Sequence, residues 1–233
     1  DKNKLLGFTS RYSLGGNVES VKWQSNNNTL ITNFVSTDKT LKGTIEGDVG
    51  NITNDKIGIF QTSQLVRMLS IMQDDMTVST SKTSLMFNDK FTDFSFVLAD
   101  LDVIPKVPKL KMTPSFTALI TIDSNFIDRF VKSHGALPDT DFFTIESDPI
   151  SSNLTFGYAH TNTNRISYKI DVQSSEDIQP IHFSSNLMRE ILVANKGTDG
   201  TLEISPVGLA RIKFKNSLYK SEYLLVNKQI DGE

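Results

Sequence analysis

The side chains most able to do chemistry are sparse in this sequence and do not converge in motifs. None of the 233 residues is a cysteine, which excludes disulfides, thiol catalysis and cysteine-ligated zinc. No phosphate-binding loop, GxSxG, HExxH or dinucleotide fingerprint is present. The three histidines lack metal-ligand spacing, and the acidic pairs adjoin predicted turns: His134, His160, His182, Asp74-Asp75, Asp139 and Asp141. We therefore expect no enzyme, no metal and no cofactor.

The residues that do show a pattern are lysines and arginines on predicted helices. Helical spacing of apolar residues, flanked by capping residues, predicts helices over residues 1–12, 62–73, 124–134 and 184–196. Eight cations against three acids give these segments a charge of +5, while the rest of the chain carries −8. A basic helical face on an acidic chain predicts contacts with phosphates. The eight cations are Lys2, Lys4, Arg11, Arg67, Arg129, Lys132, Arg189 and Lys196.

The second half of the sequence repeats the first. The strand Ile57–Phe60 and the helix that follows it match Pro180–Phe183 and its following helix. Arg67 and Arg189, which are 122 residues apart, occupy the same place in the two copies. Short alternating segments between the helices predict antiparallel strands, so we expect an α+β fold made of two copies of one domain. Solvated helix faces often carry Lys and Arg, but the matched positions of these two favour a shared role.

A proline-bearing segment separates the two copies. Residues 100–114 contain Pro105, Pro108 and Pro114 together with three lysines. Proline cannot donate to a sheet ladder, so this segment is predicted to be an extended linker. The predicted organisation is a first domain over residues 1–99, the linker over 100–114 and a second domain over 115–233.

These features resemble the DNA polymerase sliding clamps, the PCNA-like processivity factors, and most of all the T-even bacteriophage type. The best local match is the strand, Leu-rich helix and acidic pair of residues 57–75, and residues 219–226 look like the terminal strand of the cellular clamps. The resemblance implies a homotrimer that closes into a ring. Antiparallel sheets would form its outside, and two helices per domain would line the hole.

The resemblance also implies partners and binding residues. The clamps encircle double-stranded DNA through nonspecific backbone contacts, here by the eight helical cations. They tether a DNA polymerase, are opened by an ATP-dependent clamp loader and catalyse nothing. The edge 91–99 would pair with 165–172 of the next subunit, while 40–45 would pair with 218–226 of the same chain. A pocket under the linker would take partner peptides, at positions matching Leu41, Ile104, Pro105, Val107, Tyr223, Leu225 and Val226.

Two other functions remain open from the residues. A β-rich viral structural or adaptor protein can also arise by domain duplication, without cations confined to helices. A monomeric nucleic-acid binder usually exposes stacking aromatic residues beside basic ones, for which Trp23 and Lys22 are little evidence. The net charge of −3 also disfavours a simple nucleic-acid binder. No apolar run is long enough to cross a membrane and no signal peptide is visible, so we expect a cytoplasmic protein, in the host cytoplasm if viral.

Overall fold

The computed structural model describes residues 1–50, 52, 56–110, 112, 114–157 and 163–229. Two compact units are present. Unit 1 comprises residues 1–109 and 215–221, and unit 2 comprises residues 110–214 and 222–233. Unit 1 thus includes most of the predicted linker and a short segment from near the end of the chain, so the division is not a single cut. The domain boundaries at residues 99 and 115 stay a prediction.

Unit 1 contains two helices and seven strands, followed by the start of the last strand of the chain. In chain order they are α1 (Lys2–Ser13), β1 (Val21–Asn26), β2 (Thr29–Val35), β3 (Leu41–Asp48), β4 (Lys56–Ile59), α2 (Thr62–Ser70), β5 (Thr77–Thr80), β6 (Ser84–Asn88) and β7 (Asp93–Val97). One sheet has the order β3-β2-β1-β4, and the other has the order β5-β6-β7. All of these pairings are antiparallel.

The core of unit 1 is an aromatic cluster between α1 and the β3-β2-β1-β4 sheet. Alternate residues of β1 and β2 are buried, which places Trp23 and Phe34 on the inner face of the sheet. Phe8 and Tyr12 lie one helical turn apart on α1, and the Phe8 ring packs edge-on against Trp23 at 5.8 Å between centroids. Trp23 has no exposed surface, so it cannot stack on a nucleic-acid base.

In its described part, unit 2 repeats this plan with two further strands, one at its start and one between the counterparts of β3 and β4. Its elements are β8 (Ala118–Ile122), α3 (Ser124–Ala136), β9 (Phe142–Ser147), β10 (Ser152–Phe156), β11 (Ile166–Lys169), β12 (Val172–Ser174), β13 (Ile178–Ser184), α4 (Ser185–Ala194), β14 (Gly200–Ser205), β15 (Leu209–Lys215) and β16 (Tyr219–Val226). The first three residues of β16 belong to unit 1, where they lie beside β3. This neighbour relation confirms the predicted pairing within one chain.

The strand order confirms the duplication. In unit 2 the order β11-β10-β9-β13 reproduces β3-β2-β1-β4 strand for strand. The aromatic core is reproduced as well: the Phe130 ring on α3 lies 5.0 Å from Phe143 and 4.9 Å from Phe156. Both cores therefore follow from the same spacing of apolar residues on the first helix of the unit and on the two strands that follow that helix.

Two strand predictions needed correction. The predicted strand 91–99 is shorter, because β7 spans Asp93–Val97. The predicted strand 165–172 is broken after Lys169, since β11 pairs with β10 whereas β12 pairs with β8. β10 ends at Phe156, and Tyr158 and His160 lie outside the described residues.

Candidate functional site

The helices of unit 1 are held by hydrogen bonds from distant parts of the unit. The residue before α2, Gln61, has a left-handed φ of 60° and makes no side-chain cap. Instead the carboxylate of Glu19 accepts from the N–H of Ser63 at 2.9 Å and from its hydroxyl. Thr62 begins the helix, and its buried hydroxyl lies 3.2 Å from that of Tyr12 on α1. These contacts fix α2 against α1.

Three of the predicted phosphate-binding cations lie at the surface of unit 1 to different degrees. Arg67 on α2 is exposed and Lys4 on α1 is half-buried. The ammonium of Lys2 donates to the carbonyl of Met72 at 2.9 Å and lies 3.4 Å from the carboxylate of Asp74. Lys2 is therefore partly committed within the unit, and Arg67 is the most available cation of this helical pair.

Arg11 does not belong to this group, and its prediction needs correction. Arg11 is only 8% exposed, and its guanidinium donates to the carbonyl of Gly7 at 2.7 Å. The guanidinium carbon lies 4.0 Å from the centroid of the Tyr219 ring, in cation–π geometry. A charge buried against an aromatic ring serves the packing of α1 rather than an external phosphate.

In unit 2 the helix starts follow local capping rules. Asp123 accepts from the N–H of Phe126 at 2.7 Å at the start of α3. Ser184 accepts from the N–H of Leu187 at 3.3 Å at the start of α4. The two helices pack against each other through buried apolar side chains. Their outer faces are left for polar contacts.

The cations of unit 2 occupy these outer faces. Arg129 and Lys132 on α3 are exposed, with the guanidinium of Arg129 5.2 Å from the Tyr168 ring centroid. On α4, Arg189 pairs with its neighbour Glu190. Lys196 was predicted to lie within the helix, but it lies two residues beyond the end of α4. The charge on α3 is thus more available than that on α4.

The positive charge of unit 2 is reduced in two ways, by an ion pair at Lys196 and by a lowered pKa at His134. Lys196 is 70% exposed at its side chain and lies 3.4 Å from the carboxylate of Asp128. An exposed pair of this kind contributes roughly 0–1 kcal/mol, so it does not prevent Lys196 from meeting another anion. Burial, followed by the charge of Arg189, lowers the pKa of His134 at the end of α3. His134 is therefore mostly neutral near pH 7.

Several described strands lie at the edge of a sheet, and β7 in unit 1 and β11 in unit 2 are two of them. In the described part of the chain, β7 has β6 on one side and no strand on the other, and β11 likewise ends its own sheet. The β7 edge adjoins an apolar cleft of about 600 Å³ that includes Met68 and Phe96. Two residues of this region are largely exposed, Val97 at 74% and Val103 at 64%. An apolar edge of this kind favours association with another strand.

A second cleft, of about 480 Å³, lies between the linker and the β2–β3 turn of unit 1. We call it the linker cleft. Its wall is the turn 36–39, and its cover is formed by Pro105, Lys106 and Pro108. The ammonium of Lys42 on β3 donates to the carbonyl of Pro108 at 2.9 Å and thereby ties the linker to the sheet. The remaining lining residues are Val18, Glu19, Ser20 and Val35.

The predicted peptide-pocket residues divide into exposed and buried ones. Pro105 and Val226 are exposed and Val107 is half-buried, so their side chains can be reached from solvent. The other four are buried, with exposures of 0–3%, and their place in a binding pocket stays a prediction: Leu41, Ile104, Tyr223 and Leu225. Sequence reasoning missed Val18 and Val35, which approach the linker only through the fold.

Other chemistry finds no site among the described residues. They contain no group of three or more His, Asp or Glu side chains that could hold a metal ion. The ring Nδ1 of His182 lies 2.8 Å from the hydroxyl of Thr144, a pairing between neighbouring strands of one sheet. No helix of the described ranges is long and apolar enough to cross a membrane.

With the geometry established, comparison with known proteins defines the fold. No protein-family model and no curated protein matches the sequence. The fold is nevertheless the α+β fold of the PCNA-like sliding clamps, matched over the full chain. At 8–16% identity this likeness establishes the fold alone.

Three solved structures illustrate the match. The first is PCNA from A. fulgidus bound to the C-terminal region of FEN-1, with a TM-score of 0.76, 16% identity, and coverage of 99% of this chain and 97% of that one. Proliferating cellular nuclear antigen from Entamoeba histolytica has a TM-score of 0.74 and 13% identity, and the match covers 98% of this chain and 96% of that one. The PCNA2–PCNA3 complex from Sulfolobus tokodaii has a TM-score of 0.75 and 8% identity, with coverage of 97% of each chain.

Proposed function

We propose that this protein is a sliding clamp of the T-even bacteriophage type, which encircles duplex DNA as a homotrimeric ring and tethers a DNA polymerase. An ATP-dependent clamp loader opens the ring, and the clamp itself catalyses no reaction. The observation that carries the proposal is the duplicated clamp fold, which matches PCNA chains from end to end. Tethering by a closed ring raises processivity without chemistry at the clamp.

The two edge strands support assembly into a ring. Each chain offers β7 in unit 1 and β11 in unit 2, and we propose that β7 of one subunit pairs with β11 of the next. A contact between two different edges is heterologous, and it generates a closed ring when the rotation between subunits closes. The exposed apolar side chain of Val97 would be covered in such a contact.

The helical cations support nonspecific contacts with the DNA backbone. We propose that phosphates meet the seven accessible cations, and above all the exposed Arg67, Arg129 and Lys132. Each contact contributes little at physiological salt, where the Debye length is about 8 Å. Weak, salt-sensitive contacts suit a ring that slides. The remaining four are Lys2, Lys4, Arg189 and Lys196.

The linker cleft supports binding of a partner's tail. The A. fulgidus structure holds the C-terminal region of FEN-1 on a PCNA with the same fold. We propose that the polymerase, and other partners, dock a peptide here, against Pro105, Val107 and the newly assigned Val35. Burial of one aromatic and one aliphatic side chain would contribute roughly 3–6 kcal/mol before ordering costs. A contact of that strength is readily exchanged.

The decisive experiment measures mass and topological retention together. Light scattering should give three times the chain mass at tens of micromolar. Protein loaded by its loader should stay on closed circular DNA through a high-salt wash and should be lost when the circle is linearised. A monomer that is retained equally on circular and linear DNA would overturn the proposal.

The role of the helical cations has its own test. Reversal of Arg67 and Lys132 together to Glu should reduce loading on circular DNA while leaving the trimer mass unchanged. The matched control is Lys82→Glu, which reverses an exposed lysine in the β5–β6 turn. Equal losses in the double variant and the control would place the DNA contacts elsewhere.

A further inference from the structure

The linker cleft carries a charge pattern that identifies its occupant more closely. Both acids nearest the cleft are already engaged by neighbouring donors. The carboxylate of Glu19 accepts from the N–H of Ser63 at 2.9 Å, and the Asp38 carboxylate accepts from the N–H and hydroxyl of Thr40 at 3.1 and 2.8 Å. Each carboxylate keeps its negative charge, but it already accepts at least two hydrogen bonds from the protein.

The cations at the cleft are not engaged in this way. Lys39 and Lys106 both line the cleft and are exposed, and Lys109 follows on the same linker. None of the acids in the described ranges forms an ion pair with Lys39 or Lys106. Lys39 also has a left-handed φ of 62°, which residues with a Cβ rarely adopt. Lys39 therefore lines the cleft from an unusual backbone position.

The cleft is also held in shape before any ligand arrives. The hydroxyl of Ser36 donates to Asp38 at 2.5 Å and accepts from the N–H of Leu41 at 3.0 Å, which fixes the turn that forms the wall. On the other side, the bond from Lys42 to Pro108 and the buried side chain of Ile104 fix the linker. A preformed cleft reduces the ordering cost of binding.

We propose that the linker cleft selects acidic peptide segments. An apolar anchor side chain packs between the half-buried Val35 on one side and the exposed prolines of the linker on the other. Asp or Glu residues next to the anchor meet Lys39 and Lys106. This inference rests on the proposed docking of a partner tail and specifies its chemistry. The apolar surface of Val35 and the prolines favours a peptide over a nucleic-acid strand, which would leave that surface uncovered.

The test uses the full chain and three short fluorescent peptides. Each has a central Leu-Phe pair, flanked by Glu, by Gln or by Lys. The Glu-flanked peptide should bind about tenfold more tightly than the Lys-flanked one at low salt, as expected for two or three exposed charge pairs. The preference should shrink as salt is added. Replacement of Leu-Phe by Ser-Ser should abolish binding of the Glu-flanked peptide.

The matched variants assign the preference to named residues. Lys39→Glu with Lys106→Glu should reverse the order of the peptides, while Lys82→Glu should leave it unchanged. All three lysines are exposed, so unchanged Trp23 fluorescence should report an intact unit 1. Equal binding of all three peptides, or a preference for Lys, would overturn the inference.

Failure of this inference can be told apart from failure of the proposed function. If no peptide binds but the protein is a trimer that is retained on circular DNA, the acidic-peptide inference fails and the clamp proposal stands. If a single-stranded oligonucleotide binds instead and the lysine reversals abolish its binding, the cleft is a nucleic-acid site and the inference fails. If the protein is a monomer without topological retention, the clamp proposal fails whatever the peptides do.

Discussion

Each unit has a cleft at the same place in the repeat. The two clefts share a backbone hydrogen bond but differ in the side chains that line them. In unit 1 the N–H of Thr62 donates to the carbonyl of Glu19 at 3.0 Å, and in unit 2 the N–H of Ser185 donates to that of Asp141 at 3.1 Å. The helix start and the chain entering the first strand are therefore joined alike. In unit 1 the cleft lies between the segment entering β1 and residues 35–39, and in unit 2 it lies between the segment entering β9 and Gly157, Thr163 and Asn164.

The side chains around the two clefts have diverged. The unit 1 cleft has valines on its floor and lysines and prolines at its rim, whereas the unit 2 cleft of about 510 Å³ contains Asp139, Asp141 and Asn164. Asp141 also lies 3.2 Å from the ammonium of Lys228. The duplicated fold thus supplies a cleft twice, while the residues added at its rim decide what each one can bind. A function assigned to the linker cleft does not transfer to its counterpart.

The largest expected effect tests whether the two cores beneath these clefts are equivalent. Phe34→Ala and Phe156→Ala each remove a fully buried ring at matching positions, and each should lower the free energy of unfolding by about 3–5 kcal/mol. Urea unfolding followed by circular dichroism measures both. Trp23, the single tryptophan, reports unit 1, so Phe34→Ala should move the fluorescence transition. A cost below about 1 kcal/mol for only one variant would show that the cores are not equivalent.

The next effect concerns the two ways in which the second helix of each unit is capped. Glu19→Ala removes the acceptor for α2, and Ser184→Ala removes the acceptor for α4. Each should cost about 0.5–2 kcal/mol, with the larger loss for Glu19 because it accepts from both the N–H and the hydroxyl of Ser63. Glu19→Gln keeps the acceptor oxygen and should recover most of the loss. A larger cost for Ser184→Ala would contradict this ranking.

The same contrast shows which features the sequence could predict. Asp123 is found from sequence as a cap because donor and acceptor are three residues apart. Glu19 is not, since it caps a helix that begins 43 residues later. Likewise the repeat follows from local patterns, whereas the burial of Arg11 depends on Tyr219, more than 200 residues away. The prolines predict the linker from sequence alone. The valines that line the cleft beneath it become apparent only when the fold is known.

A smaller effect tests the turn that walls the linker cleft. Burial alone would raise the pKa of Asp38, but hydrogen bonds from Ser36 and Thr40 outweigh it and hold the pKa below its ordinary value of 3.8. The charged form therefore stabilises the folded state above that pH, and the contribution is lost as the pH falls through the lower folded-state pKa. Asp38→Asn should cost about 1 kcal/mol at pH 7. The difference from the wild type should vanish in strong acid, and a constant difference at every pH would contradict the assignment.

The smallest effect concerns a feature that unit 1 lacks altogether, because all three histidines lie in the second half of the chain. Burial, followed by the charge of Arg189, lowers the pKa of His134 below 6.5, although Glu190 opposes this. Between that lowered pKa and 6.5 the unfolded chain binds more protons, so stability falls as the pH is lowered through this window. His134→Gln should flatten this part of the stability curve, measured by urea unfolding, without changing stability well above pH 6.5. A ring titration of His134 at or above 6.5, or an unchanged curve in the variant, would contradict the prediction.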